Sequence, residues 1–223
     1  MFARFVERLH PRLGQRMGQR PGYRRGRGMG TAEPADFDID LSCPFPQRIA
    51  VLDADPFVMV ADAEAGLISV FDELHYDRAD LDVLSPPMRR HALGRLRPLG
   101  FEQRSGRELV SPFEDIVIHL PKFHALGGSP FDALRDTSMR QQDYVLLTPT
   151  QAAAQIVNTY DLEAAVERVK RLVVKHPVNL LRLADFLDRS GRHPAFGTAI
   201  GHLMYVQRKA VCSEPLKTRR PLR

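Results

Sequence analysis

The stretch Tyr144-Val145-Leu146-Leu147-Thr148-Pro149-Thr150-Gln151 constrains the fold more than any other, because it passes from strand to helix within one residue. Four consecutive apolar residues read as a buried strand. Thr148 and Gln151 then form a capping box with Pro149 at the first helical position. A chain built this way must lay helices on a sheet. The following segments continue the helical pattern. Asp161 starts a helix whose inward stripe is Leu162, Ala165, Val166, Val169 and Val173, and His176-Pro177 stops it. Asn179 caps another, with Leu180, Leu183, Ala184 and Leu187 as its stripe and Gly191 as its stop. A last helix is expected from about Ala195 to Arg208.

Upstream the pattern is mixed. Ile49 to Leu52 and Phe57 to Val60 are short apolar segments. Leu67, Val70, Phe71 and Leu74 recur at i, i+3, i+4, i+7 and predict a helix. Asp80 to Leu84 alternates as a short strand and ends at Ser85-Pro86-Pro87, where Ser85 caps a helix running to about Leu99, with Gly100 closing it. Phe101 to Arg104 and Arg107 to Val110 flank Ser105-Gly106 and predict a hairpin. Asp115 to Leu120 is expected as a strand with Asp115, Val117 and His119 on one face. Gly127-Gly128-Ser129-Pro130 is a loop. The expected class is α+β: a small mixed sheet flanked by helices, then a C-terminal helical bundle. Residues 1–35 form a basic arm of disordered composition, 45–147 an α/β core, 148–208 a helical region and 209–223 a basic tail.

Charge is unevenly spread. Residues 1–30 hold eight Arg against one Glu, and residues 208–223 hold six Lys/Arg against one Glu. The net +5 therefore hides an acidic body of −7 over residues 31–207, left when +7 and +5 are taken away. Basic tails around an acidic body make RNA a candidate partner through phosphate attraction at the tails. Arg89, Arg90, Arg95, Arg97, Arg104 and Arg107 form a further basic stretch inside that body. Cys43 and Cys212 carry no disulfide-framework signal, which points to a reducing, cytoplasmic setting. No apolar run approaches the roughly 20 residues needed to span a bilayer.

The candidate chemistry lies at Asp80-Leu81-Asp82-Val83. Two Asp at i and i+2 on a strand project from one face, and paired carboxylates suit hard cations such as Mg²⁺. Asp36-Phe37-Asp38-Ile39-Asp40-Leu41 alternates in the same manner but follows a basic Gly-rich tail, and reads as a solvated strand or linker. His119 and His124 flank Lys122 at no diagnostic spacing for a metal.

Taken in order, Gly66, a helix, Arg78, Asp80-Leu81-Asp82-Val83, a helix, Leu99-Gly100-Phe101, a hairpin, the strand holding Ile118-His119-Leu120 and then helices resemble the nucleotidyltransferase fold of the DNA polymerase β-like superfamily. The likeness runs from about Val58 to Gly191. It implies transfer of a nucleoside monophosphate from a nucleoside triphosphate to an acceptor hydroxyl, with Asp80 and Asp82 holding Mg²⁺. It further implies Gly66 near the nucleotide phosphates and Arg78 offsetting their charge. The position aligned with the third carboxylate is Val117, and Asp115, two residues earlier on the same face, is the provisional third acid.

Overall fold

In the computed structural model, residues 41–72, 84–121, 131, 134, 137–190, 193–215 and 222 are described. Helix α1 (Phe45–Ile49) and a 3₁₀ turn (Ala50–Ala54) lead into strands β1 (Val58–Asp62) and β2 (Leu67–Val70). After α2 (Pro86–Leu96) come β3 (Glu102–Gln103), β4 (Glu108–Val110), β5 (Val117–His119) and β6 (Tyr144–Leu147). Then follow α3 (Pro149–Thr159), α4 (Leu162–Lys175), α5 (Leu180–Ser190), a 3₁₀ segment (Pro194–Ala199) and α6 (Ile200–Ser213). The class is mixed α and β, as the sequence implies.

The six strands form one sheet in the order β1-β2-β6-β5-β4-β3. The β2–β6 and β6–β5 pairs are parallel, and the outer three pairs are antiparallel. Period-two alternation sends each strand's residues to two cores. Leu67, Val145 and Leu147 pack with α3, α4, α5 and α6 on one side. Val58, Ile68, Val70, Leu146, Ile118 and Leu109 pack with α1 and α2 on the other. Covered on both faces, the central strands β2 and β6 are buried at every position.

One described element departs from the expected type. The helix expected at Leu67, Val70, Phe71 and Leu74 is a strand over Leu67–Val70, paired with both β1 and β6. A four-residue run buried on both faces carries no alternation, so its apolar spacing fits helix and strand alike. Gly66 decides between them. At φ +63 it turns the chain back onto β1, where Asp62 pairs with Leu67.

The caps fall where the sequence puts them. Thr148 Oγ1 accepts from Gln151 N while Gln151 Oε1 accepts from Thr148 N, at 3.3 and 3.0 Å. Asp161 caps α4 through Ala164 N at 2.9 Å, and Asn179 accepts from Arg182 N at 3.2 Å. Ser85 caps α2 through Met88 N, and Gly100 follows that helix at φ +90. The hairpin is shorter than expected, with 104–107 forming its tip, and the strand expected from Asp115 begins at Val117.

Candidate functional site

Gly66 sits at the β1–β2 turn. A Cβ there would stand 2.3 Å from the carbonyl oxygen of Asp143, so no side chain fits between the turn and the start of β6. Its own carbonyl accepts from Val145 N at 2.8 Å, which begins the parallel β2–β6 ladder. The close approach that the resemblance reserves for a nucleotide phosphate is made here to the chain's own backbone.

Arg78, Asp80 and Asp82 lie outside the described residues, between β2 and α2 in the chain. Asp36 to Asp40, Lys122, His124 and Gly127-Gly128-Ser129-Pro130 also lie outside them, as do the basic arm and Gly191.

Asp115 precedes β5, and its side chain is 83% exposed. Arg140 Nη1 donates to its carboxylate at 2.6 Å, and Arg140 Nη2 and Gln142 Nε2 donate to its carbonyl at 3.0 and 3.3 Å. A ligand for Mg²⁺ must offer its lone pairs to the ion. A carboxylate already facing a guanidinium does not fit that role. Val117, the position aligned with the third acid, is apolar and donates only its backbone N–H, to Asp143. Among the described residues no three His, Cys, Asp or Glu gather to hold a metal ion.

Asp143 is the carboxylate that organises this end of the sheet, and a pattern of paired acids does not pick it out. Its side chain is 2% exposed. One oxygen accepts from Val117 N and Arg140 Nη2 at 3.1 and 2.9 Å, and the other from Arg140 N and Nε at 3.0 and 3.1 Å. His119 Nε2 lies 3.4 Å away, donating to the second oxygen. Burial by itself would push this carboxyl up. The hydrogen bonds from Arg140, Val117 and His119 outweigh it and bring the group down to about 2. The spacing Arg140-x-x-Asp143 just before a buried strand was the available signal.

Two further clusters hold helices to the sheet. Asp55 accepts from Phe57 N and Val58 N at 2.7 and 3.2 Å and meets His91 Nε2 at 3.0 Å and Arg95 Nε at 2.5 Å, both from α2. Burial raises its affinity for a proton, but the His91 hydrogen bond and charge lead the effects that lower it to about 2. On the opposite face, buried Asp62 takes Arg168 Nη1 at 2.6 Å and the Tyr160 hydroxyl at 3.0 Å. Arg168 also reaches Glu64 at 2.6 Å and lies 4.0 Å over the Tyr160 ring. Burial, with the Asp62 bond, pushes the Tyr160 hydroxyl up to about 12.

Deep in the sheet, Ser69 Oγ and His176 Nδ1 are 2.9 Å apart and both residues are fully buried, which closes that pair to any substrate. An open groove of about 620 Å³ runs between α5 and α6, lined by Val178, Leu181, Met204, Tyr205 and Cys212. Among the described residues no helix is long and apolar enough to cross a membrane. No family model, curated protein or solved structure matches the chain.

Proposed function

We propose that the chain is a nucleotidyltransferase-like protein that binds a nucleoside triphosphate with Mg²⁺ through Asp80 and Asp82, with Arg78 offsetting phosphate charge. The observation that carries this reading is Asp80-Leu81-Asp82-Val83 itself, an acid pair at strand spacing with apolar neighbours to anchor it. The elements after the pair support it by their order. A Ser85-capped helix, a left-handed Gly100, a hairpin, strand β5 and a run of helices follow in the sequence that the resemblance implies. The reaction proposed is transfer of a nucleoside monophosphate to an acceptor hydroxyl, in a cytoplasmic setting consistent with a sequence whose two cysteines carry no disulfide-framework signal.

A second reading, in which nucleotide is bound and not transferred, is favoured by one observation. The provisional third acid, Asp115, is engaged by Arg140, and the aligned position is Val117. A site with two carboxylates retains cation affinity but lacks the base that would activate an acceptor.

Incubation with Mg²⁺, α-labelled nucleoside triphosphates and a cell extract tests both. Label passing to an extract component with wild-type protein, and none with Asp82→Ala, supports transfer. Retained nucleotide without any labelled product supports the binding module. Neither retention nor label overturns both.

A further inference from the structure

We infer that the face formed by α2 and the β3–β4 hairpin is a docking surface for single-stranded RNA, with Phe113 as the platform on which a base stacks. Residues 89–107 hold six Arg and one Glu, inside a body whose net charge is negative. Two sides of α2 divide this charge. His91 and Arg95 turn toward Asp55 and are consumed there. Arg89 lies on the other side, where its Nη2 donates to the Gly106 carbonyl at the hairpin tip at 3.4 Å. By helical spacing Arg90 and Arg97, two turns apart, follow on that outer side. Arg90, Arg97, Arg104 and Arg107 are all exposed, and none has an ion-pair or hydrogen-bond partner for its side chain among the described residues.

The Arg89–Gly106 bond fixes the direction of the surface. The start of α2 lies at the hairpin tip, with Arg104 and Arg107, and its end lies at Gly100, whose N–H donates to the Arg97 carbonyl at 3.0 Å. From Arg89 to Arg97 the helical path rises about 12 Å, so the helix arginines line a stripe of that length. At the Gly100 end stands Phe113, 73% exposed, the most exposed large hydrophobic residue described. Its Cδ2 is 3.7 Å from where a Cβ on Gly100 would be, so the ring rests against the glycine beside Arg97. The loop that presents it is pinned. Arg48 is bonded to Glu114, Ser111 Oγ accepts from Glu114 N at 3.3 Å, and Ser111 N donates to the Ile116 carbonyl at 3.2 Å.

Unpaired guanidiniums answer phosphates, and an exposed ring held at the end of a cationic stripe answers an unstacked base. Only a single strand offers both together, and RNA is the nucleic acid whose unpaired loops and ends are read in this way. Acidic protein segments or anionic vesicles would use the arginines but gain nothing from the ring. This surface stands on its own observations, apart from the nucleotide reading.

The test is fluorescence anisotropy of the full chain with a short labelled single-stranded RNA, set beside the matching DNA strand, the RNA duplex, heparin and phosphatidylserine vesicles. The double variant Arg97→Gln/Arg104→Gln should lower the salt slope of RNA binding by about 1.4, since each phosphate contact on a single strand contributes about 0.7. Phe113→Ala should weaken RNA binding at least about fivefold while leaving heparin binding unchanged. Both variants change exposed side chains and should keep the wild-type melting temperature and Mg²⁺–nucleotide binding. The inference is overturned by absence of RNA binding, by variants that bind RNA like wild type so that the basic tails account for it, or by a loss in Phe113→Ala that is equal toward heparin. Duplex, DNA or vesicles bound as tightly as the single-stranded RNA would overturn it as well.

Discussion

Gly66 and Asp143 meet backbone to backbone: the α-hydrogen of one points at the carbonyl oxygen of the other, where a methyl carbon would be 2.3 Å away. This contact joins the β1–β2 turn to the start of β6 and so sets the register Leu67↔Val145 at the centre of the sheet. Gly66→Ala adds a left-handed backbone penalty of about 1–2 kcal/mol to a clash that only a backbone shift relieves. Urea unfolding should show a loss of at least about 2 kcal/mol. A neutral effect would mean the turn is looser than the contact implies.

Asp143 and Asp115 share Arg140 but differ in burial, which separates their costs. Asp143→Ala strands the Val117 N–H and removes the anchor for Arg140 and His119, for about 2–4 kcal/mol. Asp115→Ala removes an exposed pair worth less than about 1 kcal/mol. Equal losses by urea denaturation would contradict this division.

Acid should weaken the molecule through Asp55. Its carboxyl is lowered from 3.8 to about 2, so its stabilisation is complete above 3.8 and is lost as pH falls through about 2. Asp143 titrates in the same direction. Asp55→Asn should therefore be destabilised at neutral pH and show a shallower loss of stability on acidification than wild type. Parallel pH profiles of the two melting temperatures would refute the linkage.

The clamp on the β1–β2 turn makes a similar contrast. Arg168→Ala leaves Asp62, whose side chain is fully buried, with an uncompensated charge and should cost about 3 kcal/mol or more. Glu64→Ala, at the 71% exposed end of the same guanidinium, should cost less than about 1 kcal/mol. Thermal unfolding of both variants measures the difference.

Legibility in the sequence followed locality. Caps act within three residues, so Ser85, Thr148, Asp161 and Asn179 announced their helices directly. Leu67–Val70 has the spacing of a helix yet forms a strand, because its pairing partners, β1 and β6, are set by contacts that a local window does not contain. The roles of Asp55 and Asp62 escape a local window for the same reason: their partners Arg95 and Arg168 lie far along the chain. Asp143 differs, since Arg140 lies three residues before it and only its bonds with Val117 and His119 are distant. Asp115 is expected on one strand face with Val117, but it precedes β5 and faces Arg140, and spacing says nothing of a neighbour brought in from the segment before β6.

The proposed function rests on Asp80 and Asp82 seating a magnesium–nucleotide complex. Isothermal titration of the full chain with each of the four nucleoside triphosphates in Mg²⁺ tests it most directly. Binding heat is expected for at least one nucleotide, abolished by chelating the metal and by Asp82→Ala at an unchanged melting temperature. Absence of heat with the wild type, or equal affinity in Asp82→Ala, would contradict it.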